Sequence, residues 1–179
     1  MNLCVFCGSS IGLKPEFEEA TKQLAILMAS QNHSLVYGGG NVGLMGVLAD
    51  TMLANKGEVI GIIPDFLLQR EVGHRGISRL EVVSSMHERK KRMADLADAF
   101  IALPGGWGTL DELAEILTWK QLGLIEQPVG ILNTLSFFSP LLDQMERMVD
   151  NGFLRKKNLD FLLIENQPQS LLTVLLQNQ

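Results

Sequence analysis

Short, almost wholly apolar runs recur along the chain, separated by longer stretches in which apolar residues return every three or four positions. Leu3–Cys7, Ser34–Tyr37, Val59–Ile63, Leu80–Val83, Ala99–Leu103 and Val129–Leu132 have the length and continuity of buried strands, with Phe161–Ile164 as a weaker seventh. The intervening stretches read as helices. Pro15–Ser30 places Phe17, Leu24, Leu27 and Met28 near helical spacing, and Gly43–Asn55 is stopped by Gly57. Met86–Ala97, Thr109–Leu122, Ser139–Val149 and a segment from Pro168 follow. Asp65–Ser78 has mixed character and reads as a functional loop, and Arg155-Lys156-Lys157 as a basic one.

Near-continuous apolar strands alternating with helices predict a parallel sheet covered on both faces, a doubly wound α/β fold. No repeat, low-complexity segment or linker interrupts the pattern, so residues 1–179 read as a single domain. Ligands of such sheets bind beyond the carboxyl ends of the strands, where strand order reverses. Residues that directly follow a strand therefore carry the functional interest.

Charge narrows the ligand. With 15 Lys+Arg against 20 Asp+Glu, the formal net charge is −5. That argues against nucleic-acid polymers and anionic membrane surfaces, both held mainly by Lys and Arg, and favours a small ligand held locally. No apolar run approaches the roughly 18 residues of a membrane span, and Met1-Asn2-Leu3-Cys4 lacks the basic region of a secretory signal. The expected location is the cytoplasm. Cys4 and Cys7 form a CxxC, but inside a strand positions i and i+3 point to opposite faces, and no second Cys or His pair completes a zinc site. They read as buried structural thiols, with Cys7 at the strand end placed to line a pocket. His33, His74 and His87 show no metal-ligand spacing, so no metal is expected.

Eight of the 17 glycines fall in two stretches, each leading from a strand into a helix. In the first, Gly38-Gly39-Gly40-Asn41-Val42-Gly43-Leu44-Met45-Gly46, positions 38, 40 and 43 satisfy GxGxxG, and Asp65 lies 22 residues beyond Gly43. Two readings stand: a dinucleotide fingerprint, weakened because it follows the second strand rather than the first, or glycines that permit only a tight turn and close helix packing. The second stretch is Pro104-Gly105-Gly106-Trp107-Gly108-Thr109-Leu110-Asp111-Glu112. Its glycines free backbone N–H groups to converge, Thr109 adds a hydroxyl, and a helix N-terminus favours negative charge there. Such a loop suits one phosphate, and it lacks the Lys of a triphosphate-hydrolysing loop.

Asp111 is explained by helix N-terminal stabilisation. Glu112 is not so simply explained, because a carboxylate beside a phosphate loop is electrostatically awkward; it suits a group that steadies oxocarbenium character or activates water. In Met86-His87-Glu88-Arg89-Lys90-Lys91-Arg92, four consecutive cations encircle a helix and cannot share one ligand. Lys91 and Arg92 read as a solvated face. Arg89 and Lys90 lie in the first turn, at the same sheet edge as both glycine loops. Ser9 and Ser10 in Cys7-Gly8-Ser9-Ser10 are placed either to touch a ligand or to cap a helix.

Together Cys7-Gly8-Ser9-Ser10, Gly38 through Gly46, Met86-His87-Glu88-Arg89-Lys90 and Pro104 through Glu112 resemble the LOG family over Leu3 to about Leu154. These are cytokinin-activating nucleoside-monophosphate phosphoribohydrolases, some of which carry the label lysine decarboxylase. The resemblance implies a Rossmann-like homodimer that hydrolyses the N-glycosidic bond of AMP-like or N6-substituted nucleoside 5′-monophosphates without a metal or redox cofactor. It implies Arg89 and Glu112 as the catalytic pair. Substrate contacts implied by the same motifs are Gly8, Ser9, Ser10, Met86, Lys90, Gly105, Gly106, Trp107, Gly108, Thr109, Leu110, Asp111 and Thr118, with Glu71 matched on less local identity. Trp107 stands where Tyr is commoner and Asp111 where the family often has Glu. Competing readings are a nucleotide sensor that does not cleave, a nicotinamide-dependent oxidoreductase resting on the first glycine stretch and Asp65, and, weakest, a pyridoxal-phosphate decarboxylase.

Overall fold

The computed structural model describes residues 1–68 and 73–178. Seven strands form one parallel sheet: β1 (Asn2–Phe6), β2 (Ser34–Tyr37), β3 (Val59–Pro64), β4 (Arg79–Val83), β5 (Ala99–Ala102), β6 (Val129–Leu132) and β7 (Leu162–Glu165). The helices are α1 (Pro15–Ser30), α2 (Gly43–Ala54), α3 (Asp65–Leu68), α4 (Met86–Leu96), α5 (Trp107–Gln121), α6 (Ser139–Asp150), α7 (Lys156–Leu159) and α8 (Pro168–Gln177). Every predicted strand and long helix is present, with ends moved by one or two residues. Two short helices were not foreseen: α3 opens the stretch read as a loop, and α7 begins within the basic run.

Strand order is β4-β3-β2-β1-β5-β6-β7. From β1 the chain winds outward through β2, β3 and β4, then crosses back to β5 and winds the other way. The reversal therefore lies between β1 and β5, whose register pairs Leu3 with Ala99 and Phe6 with Ala102. Alternate residues of each strand feed two cores. Leu3, Val5 and Cys7 pack with Leu24, Leu48 and Leu172 of α1, α2 and α8. Cys4 and Phe6 pack with Met93, Leu113 and Phe138 beside α4, α5 and α6. Each fully buried aliphatic or aromatic side chain contributes about 1.5–3 kcal/mol relative to exposure, so the central strands are the least deformable part of the molecule.

The CxxC reading is borne out. Cys4 and Cys7 are free, buried and assigned to opposite cores. Burial pushes both thiols above their ordinary range, with the Glu112 carboxylate acting in the same direction and Arg89 against it. Both therefore remain neutral thiols near pH 7. Among the described residues no helix is long and apolar enough to cross a membrane.

Candidate active site

The loops after β1 and β5 are stitched together beyond the strand ends. Leu103 N donates to Phe6 O (2.8 Å), Gly8 N to Pro104 O (3.1 Å) and Leu44 N to Gly8 O (3.0 Å). A Cβ on Gly8 would lie 3.2 Å from the Gly105 Cα, and one on Gly105 would lie 2.1 Å from the Thr109 hydroxyl. These two glycines let the loops touch, and the contact marks the floor of a cleft at the strand-order reversal.

The cleft is lined by Val5, Cys7, Gly8, Ser9, Gly38, Met45, Arg89, Gly106, Trp107, Gly108, Thr109 and Glu112. Helix α5 starts two residues earlier than its apolar periodicity predicts, because Gly106 is its N-cap and supplies no side-chain cap. Trp107, Gly108 and Thr109 thus occupy the first turn, where backbone N–H groups lack intrahelical acceptors. Thr109 Oγ1 is buried and has no hydrogen-bond partner among the described residues. A Cβ on Gly106 or Gly108 would meet nothing within 4 Å. First-turn amides without intrahelical acceptors, a hydroxyl unpartnered among the described residues and open space at two glycines are what an oxyanion ligand at a helix N-terminus requires.

The other glycine stretch differs. A Cβ on Gly38 would sit 1.9 Å from Arg89 Nη2, and one on Gly43, at φ +59°, would sit 2.2 Å from the Ser10 backbone nitrogen. The protein's own groups fill the space a pyrophosphate would need, and Asp65 is an exposed residue opening α3. The packing explanation of this GxGxxG holds, and the nicotinamide reading loses its main support.

Arg89 is delivered by a well-capped helix. Ser85 Oγ accepts from Glu88 N (3.2 Å), while the Glu88 carboxylate accepts from Ser84 N (2.8 Å) and Ser84 Oγ (2.7 Å), a variant of the capping box in which the carboxylate reaches the residue before the N-cap. One residue on, Arg89 is only 7% exposed. Its Nε donates to Ile62 O (3.2 Å) and its Nη2 to Gly38 O (3.1 Å), while Nη1 lies 3.8 Å from Met86 Sδ. Nη2 also stands 3.9 Å from Glu112 Oε1. Glu112, 8% exposed on α5, faces it from the opposite side of the β1 end.

Lys90 points elsewhere. Its ammonium binds Asp111 Oδ2 (3.1 Å) and Glu115 Oε2 (3.2 Å). Burial alone pulls Lys90 downward, but the bonds to these carboxylates outweigh it and hold the group above its ordinary value. The structure thus brings Gly8, Ser9, Arg89, Gly106, Trp107, Gly108, Thr109 and Glu112 together around one cleft. Ser10 and Gly105 line an adjoining apolar pocket with Ile11, Phe17 and Phe137. Met86 backs Arg89, and Leu110 packs against the core beneath α5. Asp111 and Lys90 form their ion pair outside the cleft, and exposed Thr118 donates to Ala114 O (2.7 Å). Glu71 lies outside the described residues. Sequence reasoning missed Val5, Met45 and the carbonyl anchors Gly38 O and Ile62 O.

A family model described as possible lysine decarboxylase matches residues 45–175. A cytokinin riboside 5′-monophosphate phosphoribohydrolase of Arabidopsis thaliana is 48% identical over 152 residues, 85% of this chain and 71% of that protein. A probable enzyme of the same name from Oryza sativa subsp. japonica is 42% identical over 170 residues, 95% of this chain and 70% of its own. Among solved structures, a molybdenum cofactor carrier protein of Chlamydomonas reinhardtii superposes with a TM-score of 0.72 over 98% of this chain and 96% of its own, at 17% identity. A molybdenum cofactor binding protein of Rippkaea orientalis does so at 0.70 over 98% and 94%, at 20% identity. These structural likenesses speak for the fold, whereas the family model and the sequence relatives show the family: the chain belongs to the LOG family.

Proposed function

We propose that the protein is a phosphoribohydrolase of nucleoside 5′-monophosphates, cleaving AMP or an N6-substituted relative with water to give the free base and ribose 5-phosphate. The observation that carries this reading is the meeting of a buried carboxylate, Glu112, a buried guanidinium, Arg89, and the ligand-ready N-terminus of α5 in one cleft. The 5′-phosphate sits on the amides of Gly106–Thr109 and the Thr109 hydroxyl. As the C1′–N bond breaks, its electron pair leaves with the base; Glu112 stabilises the ribosyl cation and takes a proton from the water whose oxygen bonds to C1′, and that proton passes on to the departing base. Arg89 balances the charge of the phosphoribosyl group.

Decarboxylation through a pyridoxal-phosphate Schiff base needs a lysine at the reacting centre. Among the described residues no lysine lines this cleft, and Lys90 is held by two carboxylates. A homodimer is part of the same proposal; it is supported by exposed Leu122 and Leu124 just beyond α5 and exposed Phe153 just beyond α6, and sedimentation tests it. The buried free thiols suit a reducing compartment such as the cytoplasm.

The deciding experiment incubates the purified protein with AMP and N6-prenylated AMP and quantifies free base and ribose 5-phosphate. Equimolar release of both products supports the reading and ranks the substrates. Tight binding with no release would make the protein a sensor.

A further inference from the structure

The Arg89 guanidinium is oriented by two carbonyl oxygens of very different rigidity. Ile62 O belongs to a fully buried strand, whereas Gly38 O opens a run of three glycines. Glycine has the largest backbone freedom to lose, so this second anchor needs something to hold it. Among the described residues, Gly73 and His74 make contacts of that kind. His74 N donates to Gly39 O (3.0 Å), and Gly40 pairs with Gly73. The His74 ring is 7% exposed. Its Nδ1 accepts from Gly76 N (3.2 Å), so the proton resides on Nε2, which donates to Asp50 Oδ1 at 2.9 Å. Asp50 lies on α2, the helix into which the glycine loop runs.

We propose that His74, fastened by Asp50, is a positioning residue that locks the Gly38–Gly40 loop and thereby fixes the Arg89 guanidinium opposite Glu112. The residue is not among those lining the cleft. Its backbone amide holds the glycine loop while its ring holds Asp50 of α2 and Gly76 N of its own segment, with the loop's second residue already committed to φ +75°. The proposal rests on the phosphoribohydrolase reading, so wild-type base release is established first; a wild type that releases no base would sink that reading and not this one.

With an active wild type, His74→Ala lowers kcat about tenfold or more, equivalent to one well-aligned charge-assisted hydrogen bond. KM changes less than about threefold, because the phosphate cradle on α5 is untouched. Asp50→Ala, a surface change on a helix that favours Ala, gives a smaller loss in kcat. The double variant is no worse than His74→Ala alone, since both act through one contact. His74→Gln, which keeps a donor toward Asp50, recovers most of the turnover. Amide hydrogen exchange at Gly39 and Gly40 quickens in His74→Ala whatever the activity. Unchanged kcat and exchange in His74→Ala overturn the proposal, as does an additive double variant or a His74→Gln no better than Ala.

Discussion

Arg89 Nη2 and Glu112 Oε1 are 3.9 Å apart, beyond hydrogen-bond length although both side chains are buried. The separation follows from Gly38 O and Ile62 O, which claim the guanidinium first. At the observed spacing the two side chains still form an ion pair, in which opposite charges attract.

Glu112→Gln preserves shape and removes the charge. It should bind AMP within a few-fold of wild type by calorimetry and lower base release about 100-fold or more, the usual weight of a positioned acid-base group. Turnover near wild type would remove Glu112 from the chemistry.

Arg89→Lys keeps the charge but not the fork. An ammonium on the shorter Lys stem cannot span Ile62 O and Gly38 O together, and a buried carbonyl without a donor costs about 1–3 kcal/mol. Urea denaturation should show a loss in that range, accompanied by a fall in kcat of at least about tenfold. A variant as stable and active as wild type would mean that the carbonyl anchors are incidental.

The fold was legible because burial writes a strong pattern. Val129–Leu132 is apolar at every position and is found as a strand with those bounds, and Pro15 at the first turn of α1 marks a helix start that the structure keeps. The Pro104–Glu112 loop was legible for a similar reason, since glycines, Thr109 and Glu112 are side-chain choices written in the sequence. Backbone acceptors leave no such trace. Nothing in the identities of Ile62 and Gly38 says that their oxygens receive Arg89, and the sequence offered two explanations for Gly38 that only the 1.9 Å clash distance separates. Lys90 was expected at a ligand from its place in the first turn of α4, at the sheet edge of both glycine loops, and from the family motif; its partners Asp111 and Glu115 are set by how α4 and α5 lie together, which periodicity does not encode.

Two glycine substitutions should separate packing from ligand space. In Gly38→Ala the new methyl displaces the Arg89 guanidinium, the mobile end of a long side chain. The protein should fold, yet lose at least about tenfold in kcat. In Gly108→Ala the methyl enters open space in the first turn of α5. Replacing helical Gly by Ala is worth about 0.5–1 kcal/mol, so Tm should hold or rise while KM for the nucleotide increases about tenfold. A Gly108→Ala enzyme with unchanged KM would show that the phosphate lies elsewhere.

Alkaline titration tests the Lys90 clamp. Its pKa in the folded protein is raised, so the ion pair's stabilisation is fully present below the ordinary lysine value of about 10.4 and fades as pH climbs through the raised one. Lys90→Met, which retains most of the apolar stem, should be less stable than wild type by about 1 kcal/mol at pH 7 and at pH 9. The difference should narrow above about pH 10.4, where Lys90 of the unfolded chain begins to lose its proton, and vanish as pH climbs through the raised folded value. The buried thiols and Tyr37, whose pKa values burial also raises, titrate alike in both proteins and cancel in the comparison. A gap in urea-derived stability that stays constant to pH 11 would assign Lys90 to packing alone, and Asp111 and Glu115 would then have no electrostatic part in holding α5 against α4.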